Sequence, residues 1–540
     1  MTRKAKLLFH TVKYLKFSQI WNRVKRKIPT SCINTSSAPG LSKPRNEFQA
    51  VALSQQKMLN SNTFKFLNET NSVIASESWN DSNIDKLWLY NLHYFDDLNA
   101  VNSDKRREWH NSLIQKWITE NPTGLGNGWE PYPLSLRIVN WIKWSLLGAD
   151  IKQDWHDSLA VQVRYLSQNL EYHILGNHLF ANAKALIYAG LYLQGTEAEK
   201  WYKTGIKIFN KELQEQVFPD GGNFELSPMY HAIFLEDLLD IFNIHQAFNK
   251  QFPYDITNKI TSMFDWLRAM CHPDGEVSFF NDSAIGIAPN LIELEEYAER
   301  LKIPLSKKID ELTHLCDSGY IRVQKDNLVA LLDVAHVGPS YIPGHAHADT
   351  LSFELSLSGQ RMIVNSGTSC YGVGVERHRQ RGTEAHNTVV INRENSSEVW
   401  GGFRVARRAK PFDLEINQSS KQTKISCSHD GYKRLGSGLN HTRKWTFDPN
   451  QLVVHDFVNY PCKEVEARYY FHPRVEVKLD ASGKKGTASI NNKNMISFKV
   501  QQGVASILDT TYHPEFGLSI SNKCLLIKLN SLESKVSFCW

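Results

Sequence analysis

Apolar residues recur at helical spacing from about Leu87 to Leu301, in segments that Gly, Pro or Asn interrupt at short intervals. The pattern predicts helices over 104–119, 134–148, 155–170, 178–194, 197–216, 228–249, 255–271 and 289–301. An even run of helical hairpins fits a solenoid or an (α/α) toroid, and the lack of an exact repeat disfavours the regular solenoids. From Gly319 the period changes to two, with strands expected at Tyr320–Gln324, Leu328–Val334, Leu351–Leu357, Arg361–Asn365, Thr388–Asn392, Thr442–Phe447, Leu452–Val458 and Val465–Phe471. Turn residues separate them as in an antiparallel β-sandwich. The expected division is an N-terminal helix and linker over 1–80, a helical domain over 81–316 and a sandwich over 317–540. Residues 30–65, rich in Ser, Asn and Pro, read as loop. A helix over 5–27 places Leu8, Val12 and Leu15 on one stripe among lysines. Docking onto the protein's own surface is the first expectation for it, and peripheral contact of residues 3–27 with an anionic membrane the second.

Composition narrows the partners. A net charge of +6 over 540 residues suits an acidic substrate and lacks the basic blocks of a nucleic-acid binder. The eight cysteines stand singly, without a CxxC, as free thiols do in a reducing compartment. No apolar run reaches the roughly 18 residues of a membrane span. The basic N-terminus has no uninterrupted apolar centre. The expected location is cytoplasmic, with the inner membrane face as a peripheral site. Eleven of the fourteen tryptophans precede Cys271; most should be core, with Trp129 a candidate for stacking on a sugar.

Candidate chemistry concentrates between Pro343 and Thr388. Gly344-His345-Ala346-His347-Ala348-Asp349, Asn365-Ser366-Gly367, Tyr371, the near-alternate Arg377, Arg379 and Arg381, and Ala385-His386-Asn387-Thr388 follow one another there. Gly and Pro punctuate short apolar strands, the composition of a site on loops and strand ends. His345, His347 and Asp349 share the parity of the apolar positions in Leu351–Leu357, so an extended chain projects them from one edge. Such a His-x-His pair is able to share a metal, with Asn365 and His386 as further donors, and zinc takes donors of this kind with one position open. In the helical half, Gly176 places Asn177 and His178 on the opening turn of a helix, where free N–H groups suit an anion; a plain helix cap is the alternative. Ser227-Pro228 is a strong helix start that puts Tyr230 in the first turn. There the helix dipole favours a phenolate; a tyrosine hydrogen-bonded to its neighbours is the plainer reading.

Five motifs in this order, Gly176-Asn177-His178-x-x-x-Asn182-Ala183, Ser227-Pro228-x-Tyr230-His231, Gly344-His345-x-His347-x-Asp349, Asn365-x-Gly367-Thr368 and Ala385-His386-Asn387-Thr388, resemble the heparinase II/III-type polysaccharide lyases, a group that includes alginate lyases. The resemblance covers about residues 80–540 and implies an N-terminal (α/α) toroid followed by an antiparallel β-sandwich. It implies an acidic, uronate-containing glycan as substrate. Asn177 and His178 would neutralise the uronate carboxylate, with His345 as base and Tyr230 as acid. His347 and His386 would be metal or structural ligands together with position 365, where the family's usual Asp is Asn365, an amide and a poorer zinc ligand. Tyr371, Arg377 and Arg381 would contact sugar or carboxylate. Two other readings stay open: a glycoside hydrolase using two of Asp220, Glu225 and Asp349, and a non-catalytic glycan-binding or assembly protein.

Overall fold

A computed structural model describes residues 2–26, 32–252, 254–306, 308–529 and 532–540. Two helices, α1 (Arg3–Val12) and α2 (Phe17–Lys25), stand where one was expected over 5–27, and Lys27 lies outside the described residues. The break between them turns Tyr14 and Lys16 onto the protein, Tyr14 under the Arg408 guanidinium at 4.2 Å and Lys16 over the Tyr341 ring at 3.8 Å.

The helical half continues with α3 (Lys86–Tyr94), α4 (Arg107–Glu120), α5 (Pro131–Leu146), α6 (Gln153–Gln168), α7 (Gly176–Tyr192), α8 (Gly195–Gln216), α9 (Pro228–Ala247), α10 (Thr257–Met270) and α11 (Leu291–Arg300). Each of the eight expected helices is present, shifted by a few residues at its ends. Successive alternate helices α5, α7 and α9 pack on one another and are apolar almost all round, whereas α4, α6 and α8 carry one buried stripe each. A helix buried on all sides belongs inside and an amphipathic one outside, so the pattern builds an inner and an outer ring, the (α/α) toroid. Residues 48–73 are not linker. Phe48, Val51, Met58, Phe64, Phe66 and Val73 are buried in the toroid core, and Thr63–Phe66 pairs with Glu69–Ser72 as a hairpin.

Asp97 ties that segment down. Its carboxylate accepts from the backbone N–H groups of Lys57 (2.6 Å) and Met58 (3.0 Å), from Arg106 Nε (2.8 Å) and from His110 Nε2 (2.8 Å). Burial works against its charge, but the His110 and Arg106 bonds outweigh it and lower the pKa to about 2. A carboxylate depressed from its ordinary ~3.9 contributes stability that is complete above the ordinary value and lost as pH falls through the folded one. Asp97→Asn should therefore lower the melting temperature at neutral pH and cost progressively less between about pH 4 and 2, as paired thermal melts across that window would show.

The sheet half starts at Leu312–Leu315, ahead of the expected boundary at 317. That strand pairs in order with Tyr320–Lys325, Leu328–Asp333, Phe353–Leu357 and Gln360–Ile363. An eight-stranded sheet runs from Pro411–Gln418 to Glu476–Leu479, and a four-stranded one contains Val389–Ile391 and Val465–Tyr470. All pairings within these sheets are antiparallel. Phe353, Trp445, Phe447, Tyr469 and Phe538 fill the space between the sheets. Residues 343–350 are loop rather than strand, so parity does not set the direction of their side chains.

Candidate active site

Three loops converge where toroid meets sandwich: the start of α7, the start of α9 with the nearby Asn281–Ser283, and the Pro343–Asp349 loop with Tyr371. Ser227 caps α9 through the Tyr230 N–H (3.1 Å), with Pro228 at the first helical position, which fixes Tyr230 in the opening turn. The Tyr230 ring lies 3.9 Å, centroid to centroid, from the His345 ring. Its hydroxyl meets the Tyr371 hydroxyl at 2.8 Å. Burial, then Tyr371, push the Tyr230 pKa well above its ordinary value. The expected easing of a phenolate is thus overturned: desolvation outweighs the helix end, and the residue is held as a phenol.

Asp282, which the sequence did not single out, organises the imidazoles. Its carboxylate accepts from His345 Nδ1 (2.9 Å), His347 Nε2 (2.8 Å) and both terminal nitrogens of Arg377. Burial opposes its charge, yet Arg377 outweighs burial and the pKa falls well below the carboxylate range. An ionised Asp282 fixes the His345 proton on Nδ1 and leaves Nε2 with a lone pair. That nitrogen faces Glu225 at 3.8 Å. Glu225 is buried, and burial raises its pKa against the His345 and His178 rings and the Asn177 N–H, which favour its charged form. Gly176 makes room for it: with φ at +60°, a Cβ there would come within 3.1 Å of Glu225 Oε1 and 3.2 Å of Ile342 Cδ1. Leu175 and Leu226, next to Gly176 and Ser227, also hold positive φ, at 71° and 58°. Strain of this kind in non-glycine residues persists where the surroundings impose it.

Asn177 and His178 occupy the first turn of α7, both half-buried. His178 Nδ1 bonds Glu171 Oε1 at 3.0 Å, and Asn182 braces Glu171 by accepting its N–H (2.8 Å) and donating to Oε2 (3.1 Å). Burial opposes a cation at His178, but Glu171 prevails and the pKa is raised. The spacing of the Asn-His-x-x-x-Asn block thus yields an amide and an imidazole side by side on a helix N-terminus.

Several expected contacts fall elsewhere. Arg377 is fully buried and spent on Asp282, with its guanidinium 4.9 Å from the Tyr371 ring, so it positions the site from behind. Arg381 is equally buried and donates to the carbonyls of Ala346, Gly401 and Gly402. Both lie on α12 (Val375–Arg381), and the acceptors that occupy them are distant in the chain. Trp129 is 3% exposed, its indole N–H on the Asn121 carbonyl, and belongs to the core. Tyr371 does stand at the site, against Tyr230, Phe403 and Phe516. Of the carboxylates weighed for hydrolysis, Asp220 is engaged with the N–H groups of Asp317 and Ser318, and Asp349 is buried beside the Asn281 N–H.

The metal candidates regroup as well. His347, Asp349 and His386 bring one donor atom each within 4.8 Å of one another, all three buried. His347 Nε2 bonds Asp282 and His386 Nδ1 bonds the Gly382 carbonyl at 2.8 Å, so these nitrogens carry the protons of the neutral rings. His347 Nδ1 and His386 Nε2 then face each other, lone pair to lone pair, at 3.1 Å. Such a pair calls for a cation, and burial disfavours an added proton, lowering both pKa values, that of His386 to about 4. Two imidazoles and a carboxylate suit a divalent ion such as zinc. Asn365 has hydrogen-bond partners of its own: its amide donates to the Phe279 carbonyl (3.1 Å) and its oxygen accepts from the Asn387 N–H (3.0 Å).

Comparison with known proteins agrees with this architecture. Residues 33–303 match the Heparinase II/III N-terminus family and residues 310–537 the Heparinase II/III-like, C-terminal family. A heparin-sulfate lyase of Bacteroides stercoris is 29% identical over 251 residues, 42% of this chain and 37% of that protein. One of Pedobacter heparinus is 24% identical over 328 residues, 54% of this chain and 48% of that protein. The matches thus span less than half the length of these relatives. A crystal structure of heparinase III superposes with a TM-score of 0.70 at 19% identity, covering 87% of this chain and 79% of the other. A heparan sulfate lyase mutant from Pedobacter heparinus gives 0.60 at 17%, covering 96% and 87%. At such identities the superpositions speak for the fold, a toroid followed by a sandwich. The two family matches, in chain order and together spanning nearly all of the sequence, place this chain in the heparinase II/III-like family.

Proposed function

We propose that this chain is a polysaccharide lyase that cleaves a uronic-acid-containing glycan by β-elimination. The observation that carries the proposal is the Tyr230–His345 pair, a phenol kept protonated and an imidazole kept with Nε2 free, 3.9 Å apart by ring centroid on one wall of the junction. Elimination needs a base at C5 and an acid at O4 of the same sugar. His345 Nε2 takes the C5 proton, the electron pair forms the C4=C5 bond, the C4–O4 bond breaks and the Tyr230 hydroxyl protonates O4. The proton gained by His345 can then return to Tyr230, whose hydroxyl Tyr371 orients. The charge that builds on the uronate carboxylate meets the Asn177 amide and the His178 imidazole, whose protonated form Glu171 favours, groups set in place before the reaction. The relatives' names, heparin-sulfate lyases, support an acidic glycan as substrate. Hydrolysis by two carboxylates has less support, since Asp220 and Asp349 are both engaged in structural bonds.

Screening the purified protein against a panel of uronate glycans, heparan sulfate among them, tests the reading by product mass. Elimination gives fragments whose new non-reducing end is one water lighter than a hydrolysis product; fragments at the hydrolytic mass would refute it. A divalent ion such as zinc, held by His347, Asp349 and His386, would supply a cross-link between the loop carrying His345 and the segment at 382–388. Stoichiometric zinc in the purified protein, lost together with several degrees of melting temperature in His386→Ala, is the expected outcome; retention of metal in that variant would remove these residues as ligands.

A further inference from the structure

The two N-terminal helices show their polar side to the protein and their apolar side to solvent. On α2 the outward stripe is Phe17, Ile20, Trp21 and Val24, the i, i+3, i+4, i+7 positions of a single helix face, with Phe17 78% and Trp21 59% exposed. On α1 it is Leu8, Phe9 and Val12. The inward side is polar: Gln19 donates to the carbonyls of Ile174 (3.2 Å) and Tyr341 (3.5 Å), Lys16 pairs with Glu215, Thr11 accepts from the Trp400 indole (3.0 Å) and Arg26 meets His173. This is the reverse of the burial order that water imposes on an amphipathic helix, so the pair is fixed to the protein with its apolar stripes available. Both docking modes considered for residues 3–27 are thereby compatible, since they use opposite faces.

We infer that this face docks on an anionic phospholipid bilayer. Residues 3–26 contain eight Lys and Arg and no Asp or Glu. Apart from Lys16 and Arg26, these cations reach no acidic or imidazole partner by hydrogen bond among the described residues, and they flank the apolar stripes. Aromatic and aliphatic residues inserted at the headgroup boundary beneath a fringe of basic side chains are the chemistry of an interfacial helix. A second copy of the chain is a poorer occupant: a two-fold contact through the same face sets one cationic surface against another. The inference does not depend on the proposed lyase reaction. Its consequence for that site is geometric, because Ile174 and Tyr341, on which α2 rests, lie just ahead of Asn177 and His345. The bilayer face and the cleft share one support.

Co-sedimentation of the full chain with vesicles tests it. The protein should pellet with phosphatidylglycerol–phosphatidylcholine vesicles, release as salt is raised, and stay in solution with phosphatidylcholine alone. The double change Phe17→Ser with Trp21→Ser should reduce partitioning about tenfold or more, given the apolar area each ring inserts. Because both side chains face solvent, its melting temperature should match the parent's. Arg23→Gln with Lys25→Gln should weaken binding and flatten the salt dependence. Absence of pelleting with the anionic vesicles, or undiminished pelleting of the Phe17/Trp21 variant, would overturn the inference. A parent dimer in sedimentation velocity that the same variant dissolves would assign the face to a second copy instead.

Discussion

Tyr230→Phe is expected to lower turnover on the cleaved glycan by about 10²–10⁴-fold, the usual worth of a positioned general acid, while leaving affinity and melting temperature nearly unchanged. Among the described residues the phenol hydroxyl hydrogen-bonds the Tyr371 hydroxyl alone, and its ring lies tilted against His345, a contact that keeps its shape without the oxygen. The donor to O4 is what disappears, so the loss should sit in kcat with KM held. A fall in glycan affinity with turnover unaffected would move Tyr230 from acid to contact residue and favour a binding protein.

Asp282→Asn should be nearly as damaging, by a different route and with a second signature. Five donors converge on this carboxylate: two from Arg377 and one each from His345, His347 and the Thr368 hydroxyl. An amide has one accepting oxygen and turns an NH₂ toward whichever imidazole sits on the other side, which selects the wrong tautomer. A carboxylate that sets an imidazole tautomer in the serine-protease triad is worth about 10⁴ in kcat, and a comparable loss is expected here. Arg377 is left buried with its counter-charge gone, and breaking a buried pair costs roughly 3–5 kcal/mol. The variant should therefore lose both rate and several degrees of melting temperature, whereas Tyr230→Phe loses rate alone. Equal melting temperatures for Asp282→Asn and the parent would mean that Arg377 finds another partner and that its placement behind Tyr371 is not fixed by Asp282.

These two residues also show what a sequence exposes and what it hides. The helices were legible because each is long and strongly periodic, and Tyr230 because Ser227-Pro228 announces a helix start. Asp282 was not, since it is one acid in a short Phe-Asn-Asp-Ser loop and every partner that gives it meaning lies more than sixty residues away. Distance in the chain likewise hides the partners of Arg377 and Arg381, expected at sugar or carboxylate and found on Asp282 and on backbone carbonyls. Residues 48–73 looked like linker because their apolar side chains follow no period, yet each fills a gap in the toroid core. For Tyr230 the helix dipole was visible in the sequence and the desolvation that overrides it was not. Asp349 joins His347 and His386 as a metal candidate only in space, since ligand spacing alone does not reveal which donor atoms the loops bring together.

Elimination at a uronate is the central step, and near-ultraviolet absorbance tests it most directly. With a glycan that the protein cleaves, the account predicts a rise from the new C4=C5 double bond in step with chain cleavage, absent in Tyr230→Phe. Cleavage that proceeds with no such chromophore, or a chromophore that forms at the parent rate in Tyr230→Phe, would contradict it.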